Sequence, residues 1–168
     1  MMEEALSLVA ECARRLTARR WTLGVAESCT GGLICHWITS LPGSSDFFIG
    51  GVVSYANRIK RDLVGVSEEL LIAHGAVSRE VAQAMAEGVR RALRTEVGIA
   101  VTGIAGPTGG TPTKPVGTTY IAVSSPLGTV VQHHVWPHDR EGNKRASARA
   151  ALELLLRQIA EDRAGRTF

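Results

Sequence analysis

Residues 21–32 read WTLGVAESCTGG, and this stretch indicates the fold class. Its first half, 21–26, is mostly apolar and predicts a buried strand, while the segment after it predicts a short helix from Thr30 to Ser40. A strand that passes directly into a helix is typical of α/β proteins. We therefore expect Ser28 to lie in a turn at the carboxyl edge of a sheet, where ligands of such proteins bind.

The rest of the chain continues this alternation of helices and strands. Helices are predicted over residues 3–18, over 57–74 with a break near Gly65 and a restart at Ser67, after a capping Ser78, and over 140–162. Strands are predicted over 47–55, 97–103, 117–125 and 128–136, the last two as a hairpin. A hairpin adds an antiparallel strand, so the sheet is expected to be mixed. We expect a single domain over residues 1–168.

Composition excludes several other classes of protein. The 168 residues are 45% hydrophobic and 21% charged, which is typical of one globular domain. A net charge of +3 from 19 basic and 16 acidic residues gives little reason to expect nucleic-acid binding. The three cysteines have no CxxC spacing, which favours a reducing compartment. Without an apolar run of membrane length or a signal-peptide pattern, we expect a cytoplasmic protein that does not bind membranes.

The turn over residues 27–32 has two possible interpretations. Small hydroxyl residues and glycines before a helix expose backbone N–H groups, and these could bind a phosphate or a developing oxyanion. The alternative is a plain helix cap by Ser28 or Thr30, which is the commonest way for a helix to begin. The stretch matches neither common nucleotide-binding glycine motif, so the pattern alone does not choose between them.

Two further segments carry polar groups that could take part in chemistry. In SYANRIKR (54–61), Tyr55 could bind a substrate, and Lys60 could act as a base if burial lowered its pKa. The loop GIAGPTGGTPTKPVG (103–117) contains five glycines and three prolines, and its amides, with Lys114, could surround an anion. The alternatives are a solvated helix face for Lys60 and a simple connection for the loop.

The histidines near residue 134 do not predict a metal site. His133 and His134 are adjacent on a predicted strand, so their side chains should face opposite sides of the sheet. Two ligands on opposite faces cannot bind one ion. We therefore expect no metal.

Three motifs together resemble the CinA C-terminal domain family over roughly residues 4–160: AESCTGG (26–32), SYANRIKRDLVGV (54–66) and VTGIAGPTGGTPTKPVGTTYIAV (101–123). The resemblance implies a three-layer α/β/α fold with a mixed, mostly parallel sheet. It also implies nicotinamide-nucleotide amidase activity, which hydrolyses nicotinamide mononucleotide to nicotinic acid mononucleotide and ammonia without a cofactor. A homodimer is expected as well. The chain begins just before the first helix of that domain, so it looks like the stand-alone form.

The resemblance also implies roles for individual residues. Ser28 is the expected nucleophile and Lys60 the base, with Tyr55 orienting the base or relaying a proton; Cys29 is the competing nucleophile. The expected substrate-binding residues are Glu27, Cys29, Thr30, Gly31, Gly32, Thr102, Gly103, Ala105, Gly106 and Arg140. For Glu27 two alternatives stay open, which are orienting Lys60 and favouring the helix start by its charge.

Two questions stay open at this point. The segment 138–146 departs from the family pattern, and a further cation could be either Lys144 or Arg145. The alternative to an enzyme is a catalytically silent nucleotide-binding or competence-related interaction module.

Overall fold

A computed structural model describes residues 1–161 as a five-stranded sheet between two layers of helices. The helices are α1 (Met2–Arg19), α2 (Leu33–Thr39), α3 (Asn57–Asp62), α4 (Glu68–His74), α5 (Arg79–Leu93) and α6 (Arg140–Glu161). The strands are β1 (Leu23–Glu27), β2 (Phe48–Val53), β3 (Val97–Gly103), β4 (Thr118–Ser125) and β5 (Gly128–Val135). The predicted last residue of α6, 162, lies outside the described residues. None of the helices in the described part combines the length and apolar composition that crossing a bilayer requires.

The sheet has the order β2-β1-β3-β4-β5 and is mixed, as predicted. The pairings β1–β2 and β1–β3 are parallel, whereas β3–β4 and β4–β5 are antiparallel. Four strands therefore point the same way and only β4 runs in the opposite direction. Glu27, the last residue of β1, pairs with Val53 on one side and Val101 on the other. The ends of three parallel strands thus meet beside the turn that follows Glu27.

The two faces of the sheet carry separate hydrophobic clusters, which confirms the three-layer fold. One face packs against α1, α2 and α6 through fully buried side chains such as Leu16, Ile34 and Leu152. The other packs against α5 and the segment before it through Val64, Met85 and other side chains. Burial on both faces explains why β1 and β3 have continuous apolar sequences rather than alternating ones.

The predicted start of the second helix is wrong. The helix begins at Leu33 rather than Thr30, because Gly31 and Gly32 adopt left-handed backbone angles, with φ of +63° and +102°. Neither Ser28 nor Thr30 caps it through a side chain. The predicted caps at Ser67 and Ser78 are confirmed, since each hydroxyl accepts a hydrogen bond from the amide three residues later.

Candidate active site

The predicted chemistry-bearing segments meet at one edge of the sheet. The turn 28–32 follows the end of β1, the segment 54–60 follows the end of β2, and the loop 104–117 follows the end of β3. The start of α6 follows β5, which points the same way. Ligands of α/β proteins bind outside the carboxyl ends of parallel strands, so this edge is the expected place for a site.

Ser28 and Lys60 are in direct contact at this edge. Lys60 Nζ lies 3.0 Å from Ser28 Oγ, 2.7 Å from the Ser54 carbonyl oxygen and 3.1 Å from the Tyr55 carbonyl oxygen. The Lys60 side chain is only 1% exposed, and Ser28 is 7% exposed. The alternative interpretation of Lys60 as part of a solvated helix face is therefore wrong.

The three oxygens around Lys60 Nζ determine what this amine can do. Two of them are carbonyl oxygens, which can only accept hydrogen bonds, and the third is the Ser28 hydroxyl, which can also donate. A neutral amine has two N–H groups and one lone pair. The two carbonyls can accept its N–H groups, which leaves the lone pair for the Ser28 proton. This arrangement is suited to a general base acting on a serine nucleophile.

Burial favours this neutral form of Lys60. Loss of hydration lowers the pKa of its amine below the ordinary value, and the nearby Cys29 acts weakly in the opposite direction. Within residues 1–161, no carboxylate lies within ion-pair distance of Lys60 to hold its proton. The neutral amine is therefore more accessible than in an exposed lysine.

Cys29 is adjacent to Ser28 but poorly suited to attack. Burial raises the pKa of its thiol to about 12, and the side chain is 8% exposed. A thiol is a strong nucleophile only as a thiolate, which is scarce near neutral pH when the pKa is this high. Its sulfur lies close to Gly103, where an added Cβ would come within 3.1 Å. Cys29 therefore packs against β3.

Tyr55 contributes through a different group from the one expected. Its carbonyl contacts Lys60, whereas its phenol hydroxyl lies 3.4 Å from Arg140 Nη2. The side chain is 62% exposed and stands at the mouth of the site. The expected proton relay through the phenol has no short contact to Ser28 or Lys60 among the described residues. In this conformation Tyr55 orients Lys60 through its backbone.

The start of α6 holds the glycine-rich loop in place. Arg140 Nη1 donates to the Gly106 carbonyl at 2.7 Å, and Asn143 Nδ2 donates to the Ala105 carbonyl at 3.0 Å. Asn143 is 2% exposed, and its other amide atom accepts from His138 N. Asn143 was not among the predicted site residues. The available signal was that it lies in the segment 138–146, which departs from the family pattern, and asparagine is a poor helix former that often lies at helix ends.

Of the roles that the sequence left open for Glu27, the contacts of its carboxylate support the one at the start of α2. The side chain is fully buried, and its oxygens accept hydrogen bonds from the amides of Gly32, Ile34 and Cys35 at 3.1, 3.2 and 2.8 Å. The carboxylate thus caps α2, where its charge also favours the helix N-terminus. These three contacts support the helix-start role, and substrate binding by Glu27 stays a prediction.

The amides of the turn differ in what they can still bind. Ser28 N donates to Val101, Gly31 N to the Ser28 carbonyl, and Gly32 N to Glu27. Among the described residues, no carbonyl or carboxylate accepts from the amides of Cys29 and Thr30. Those two N–H groups are the remaining donors for an oxyanion. The Thr30 hydroxyl is buried without a partner in the described part of the chain.

The contacts of Lys114, Lys144 and Thr102 show where three further candidate side chains lie. Lys114 Nζ donates to the His74 carbonyl at 2.8 Å, on α4 rather than beside Ser28. Lys144 faces the turn, since a Cβ on Gly31 would lie 3.9 Å from its Nζ, whereas Arg145 contacts Met1. Lys144 is thus the cation on the site side. The Thr102 hydroxyl donates to the Ala76 carbonyl.

A cavity of about 190 Å³ opens between these segments. Its lining comprises Ser28, Cys29, Tyr55, Asn57, Lys60, Ala76, Val77, Thr102, Gly103, Ala105 and Arg140. Of these, Asn57, Ala76 and Val77 could not be predicted from the sequence, because they line the cavity only as a result of how α3 and the segment before α5 pack. A larger groove of about 510 Å³ lies between α1 and α6, and it contains no nucleophile paired with a base.

The histidines of β5 lie on opposite faces of the sheet, as predicted. His133 stacks on Tyr120 and His134 stacks on Trp136, and these two aromatics belong to different hydrophobic clusters. Within residues 1–161, no three His, Cys, Asp or Glu side chains are grouped to hold a metal ion.

The fold and site define an α/β protein with a serine–lysine pair at the carboxyl edge of a mixed sheet. The sequence model of the CinA C-terminal domain matches residues 5–159, so the chain belongs to the CinA C-terminal domain family. The CinA-like proteins of Syntrophobacter fumaroxidans and Salinibacter ruber are 49% and 50% identical to it over 148 and 145 residues. These alignments cover 88% and 86% of this chain but 35% of each relative. The chain thus spans about a third of the length of these curated relatives.

Solved structures of the superfamily agree with the fold over nearly the whole chain. A competence-damaged protein (CinA) superfamily protein from Klebsiella pneumoniae superposes with a TM-score of 0.89 at 32% identity, covering 94% of this chain and 98% of that one. The competence/damage inducible protein CihA from Agrobacterium tumefaciens superposes with a TM-score of 0.86 at 39% identity, covering 92% of this chain and 94% of that one.

Proposed function

We propose that this protein hydrolyses the carboxamide of nicotinamide mononucleotide to nicotinic acid mononucleotide and ammonia, as a cytoplasmic enzyme of pyridine nucleotide salvage. The observation that carries this proposal is the buried Lys60 amine 3.0 Å from Ser28 Oγ. A serine hydroxyl is a weak nucleophile until a base takes its proton. Membership of the CinA C-terminal domain family supports the choice of substrate.

In the proposed reaction, Ser28 Oγ forms a bond to the carboxamide carbon while its proton passes to the neutral Lys60 amine. The amides of Cys29 and Thr30 stabilise the oxyanion of the tetrahedral intermediate. Its collapse breaks the C–N bond, and Lys60 returns the proton to the leaving nitrogen, which departs as ammonia. Water then attacks the acyl-enzyme with Lys60 again as the base, which forms the carboxylate and restores Ser28. These steps use no cofactor.

Charge supports a phosphorylated substrate. Within the described residues, no carboxylate lies within ion-pair distance of Arg140, whose partners are the Gly106 carbonyl and the Tyr55 hydroxyl. Lys144 lies on the same side, beside Gly31. Lys144 pairs with Glu141 at 3.6 Å, whereas the two partners of Arg140 are neutral. An anionic group supplied by the substrate would therefore give Arg140 the charged partner that it lacks among the described residues. We assign the phosphate to Arg140 and Lys144, with the loop amides around Gly103 and Gly106 beside it. A homodimer is proposed on the family resemblance alone.

The nucleophile is tested by comparing Ser28→Ala with Cys29→Ala. Ammonia release from nicotinamide mononucleotide is expected to fall at least a thousandfold in Ser28→Ala, because attack is lost, and less than tenfold in Cys29→Ala. Thermal unfolding of both variants shows whether the fold is kept. A fully active Ser28→Ala enzyme would overturn the assignment of the nucleophile.

A further inference from the structure

Glu27 joins the turn that carries Ser28 to helix α2. Its carboxylate is fully buried and accepts hydrogen bonds from three amides at the start of α2, at 2.8 to 3.2 Å. Hydrogen bonds to a charged acceptor are stronger than neutral ones, and these also complement the helix N-terminus. Because Glu27 directly precedes Ser28, the position of α2 and the position of the nucleophile are fixed together.

Ser54 joins the same residue to the base. Its backbone N and its Oγ both donate to the Glu27 carbonyl, at 2.7 and 3.0 Å, and its own carbonyl accepts from Lys60 Nζ at 2.7 Å. Ser54 is fully buried. The contacts therefore form a closed ring that runs from Glu27 through Ser54 and Lys60 to Ser28, and the peptide bond between Ser28 and Glu27 closes it.

We propose that Glu27 and Ser54 are positioning residues that set the distance and direction between Ser28 Oγ and Lys60 Nζ. Neither side chain acts on the reacting atoms directly. The Glu27 carboxylate acts by capping α2, and the Ser54 hydroxyl acts through its hydrogen bond to the Glu27 carbonyl, the second that this carbonyl accepts from Ser54. The consequence for catalysis rests on the proposed function. A displacement of about 1 Å at a reacting group can cost about a hundredfold in rate. Loosening either residue should therefore reduce turnover without removing any group that binds substrate.

The chain offers a matched control for Glu27. Glu96 is also a carboxylate that fixes a turn, since its Oε2 accepts from Thr22 N at 2.6 Å and from Thr22 Oγ at 2.7 Å. It lies before β3, at the opposite edge of the sheet from Ser28. Changing either glutamate to glutamine replaces one acceptor oxygen with an NH2 group at similar size. Only Glu27→Gln should disturb the serine–lysine pair.

The first experiment compares the steady-state kinetics of Glu27→Gln and Glu96→Gln with nicotinamide mononucleotide. For Glu27→Gln, kcat is expected to fall about tenfold to a hundredfold while KM changes less than about threefold. Ser54→Ala should also lower kcat with little change in KM, but the fall in kcat should be smaller because the Ser54 amide still donates to the Glu27 carbonyl. Glu96→Gln should leave both constants within about twofold. Equal effects of the two glutamine variants on kcat would overturn the proposal.

The pH dependence of kcat/KM separates a positioning role from a loss of stability, because a loss of stability alone would not shift the pKa of Lys60. The groups that face Lys60 are Ser28 and Cys29 from the turn and the Ser54 and Tyr55 carbonyls, while Arg140 lines the same cavity. Relaxation of the ring would admit water, which stabilises the protonated amine and raises the pKa of Lys60. The acidic limb of the kcat/KM profile should therefore move to higher pH in Glu27→Gln and stay in place in Glu96→Gln. An unmoved limb in Glu27→Gln would contradict the proposal.

A chemical probe keeps the test independent of the substrate. Phenylmethylsulfonyl fluoride reacts with an activated serine by forming an O–S bond at Ser28 Oγ, with loss of fluoride and transfer of the serine proton to Lys60. Mass spectrometry follows the rate of this labelling. Labelling of Ser28 should be slower in Glu27→Gln than in the wild type and unchanged in Glu96→Gln. If the wild type labels in this way but releases no ammonia, the proposed substrate is wrong, and slower labelling of Glu27→Gln than of Glu96→Gln still supports the positioning role. Equal labelling rates in all three proteins would contradict the positioning role.

Discussion

At the scale of single residues, the site depends on a lysine kept out of water. Lys60 is 1% exposed, and burial lowers the pKa of its amine. A buried amine without a carboxylate partner is costly for stability, since the charged form loses hydration. Ser28 benefits from the same environment because the neutral amine can accept its proton. The residue that weakens the fold is thus the one that the proposed reaction requires.

The lowered pKa of Lys60 predicts how activity depends on pH. The base must be neutral, so kcat/KM is expected to rise with pH through the lowered pKa of Lys60 and to level off below the ordinary lysine value of about 10.4. Lys60→Arg should be inactive at every pH, since a guanidinium stays protonated. Ammonia release measured across pH in wild type and Lys60→Arg checks both points. An active Lys60→Arg enzyme would show that another group is the base.

The sequence predicted the pairing of Ser28 with Lys60 better than it predicted the residues that support this pair. The choice of Ser28 and Lys60 came from the family resemblance, and the fold brings the two into contact. The sequence left several roles open for Glu27, because the direction of its side chain depends on where α2 packs. Tyr55 was expected to orient the base or to relay a proton, and it is the backbone carbonyl of this residue, rather than its phenol, that contacts Lys60. A contact made by a backbone carbonyl does not depend on the type of side chain, so the sequence does not predict it.

At the scale of elements, the two glycines of β2 have different functions. Gly50 has open space where a Cβ would lie, whereas a Cβ on Gly51 would collide with Cys35 Sγ and come within 3.2 Å of the Val25 carbonyl. Glycines inside a strand indicate a close backbone approach or a bulge. The close approach is found at Gly51, and the register of the β1–β2 pair shifts as at a bulge, because Leu23 pairs with Phe48 and Gly24 with Gly50.

This difference predicts unequal effects of adding one methyl group. Gly51→Ala is expected to lower the free energy of unfolding by about 1–3 kcal/mol through overpacking. Gly50→Ala should change it by no more than about 0.5 kcal/mol, as expected for an uncrowded position. Urea unfolding followed by circular dichroism measures both. Adding Cys35→Ala should recover part of the loss in Gly51→Ala, and a double mutant no more stable than the single one would contradict the packing explanation.

Element types were predictable from periodicity, whereas boundaries and order needed tertiary contacts. The apolar runs of β1 and β3 and the serine caps of α4 and α5 were sufficient signals. The start of α2 was missed because its cap comes from Glu27, on the preceding strand, rather than from a residue at the helix start. The strand order could not be predicted, since it follows from how α2 and α5 cover opposite faces.

At the scale of the whole molecule, the site is assembled from segments far apart in sequence. The contact between Lys60 and Ser28 spans 32 residues, and the contact between Arg140 and Tyr55 spans 85. These contacts form only when the sheet and α6 are in place, so site integrity and global folding are coupled. A ligand that bridges the segments should therefore stabilise the entire fold by binding only the native state.

Ligand-linked stability consequently separates an enzyme from a binding module. In Ser28→Ala, which cannot turn over its ligand, nicotinamide mononucleotide at a hundred times its dissociation constant should add about 2.7 kcal/mol to the free energy of unfolding. Nicotinamide riboside, which lacks the phosphate, should stabilise far less at equal concentration, and Arg140→Ala should reduce that difference because one of the two phosphate contacts is deleted. Thermal unfolding measures each combination. Stabilisation of the wild type without ammonia release would identify a silent nucleotide-binding module, whereas equal stabilisation by riboside and mononucleotide would show that Arg140 and Lys144 do not hold the phosphate.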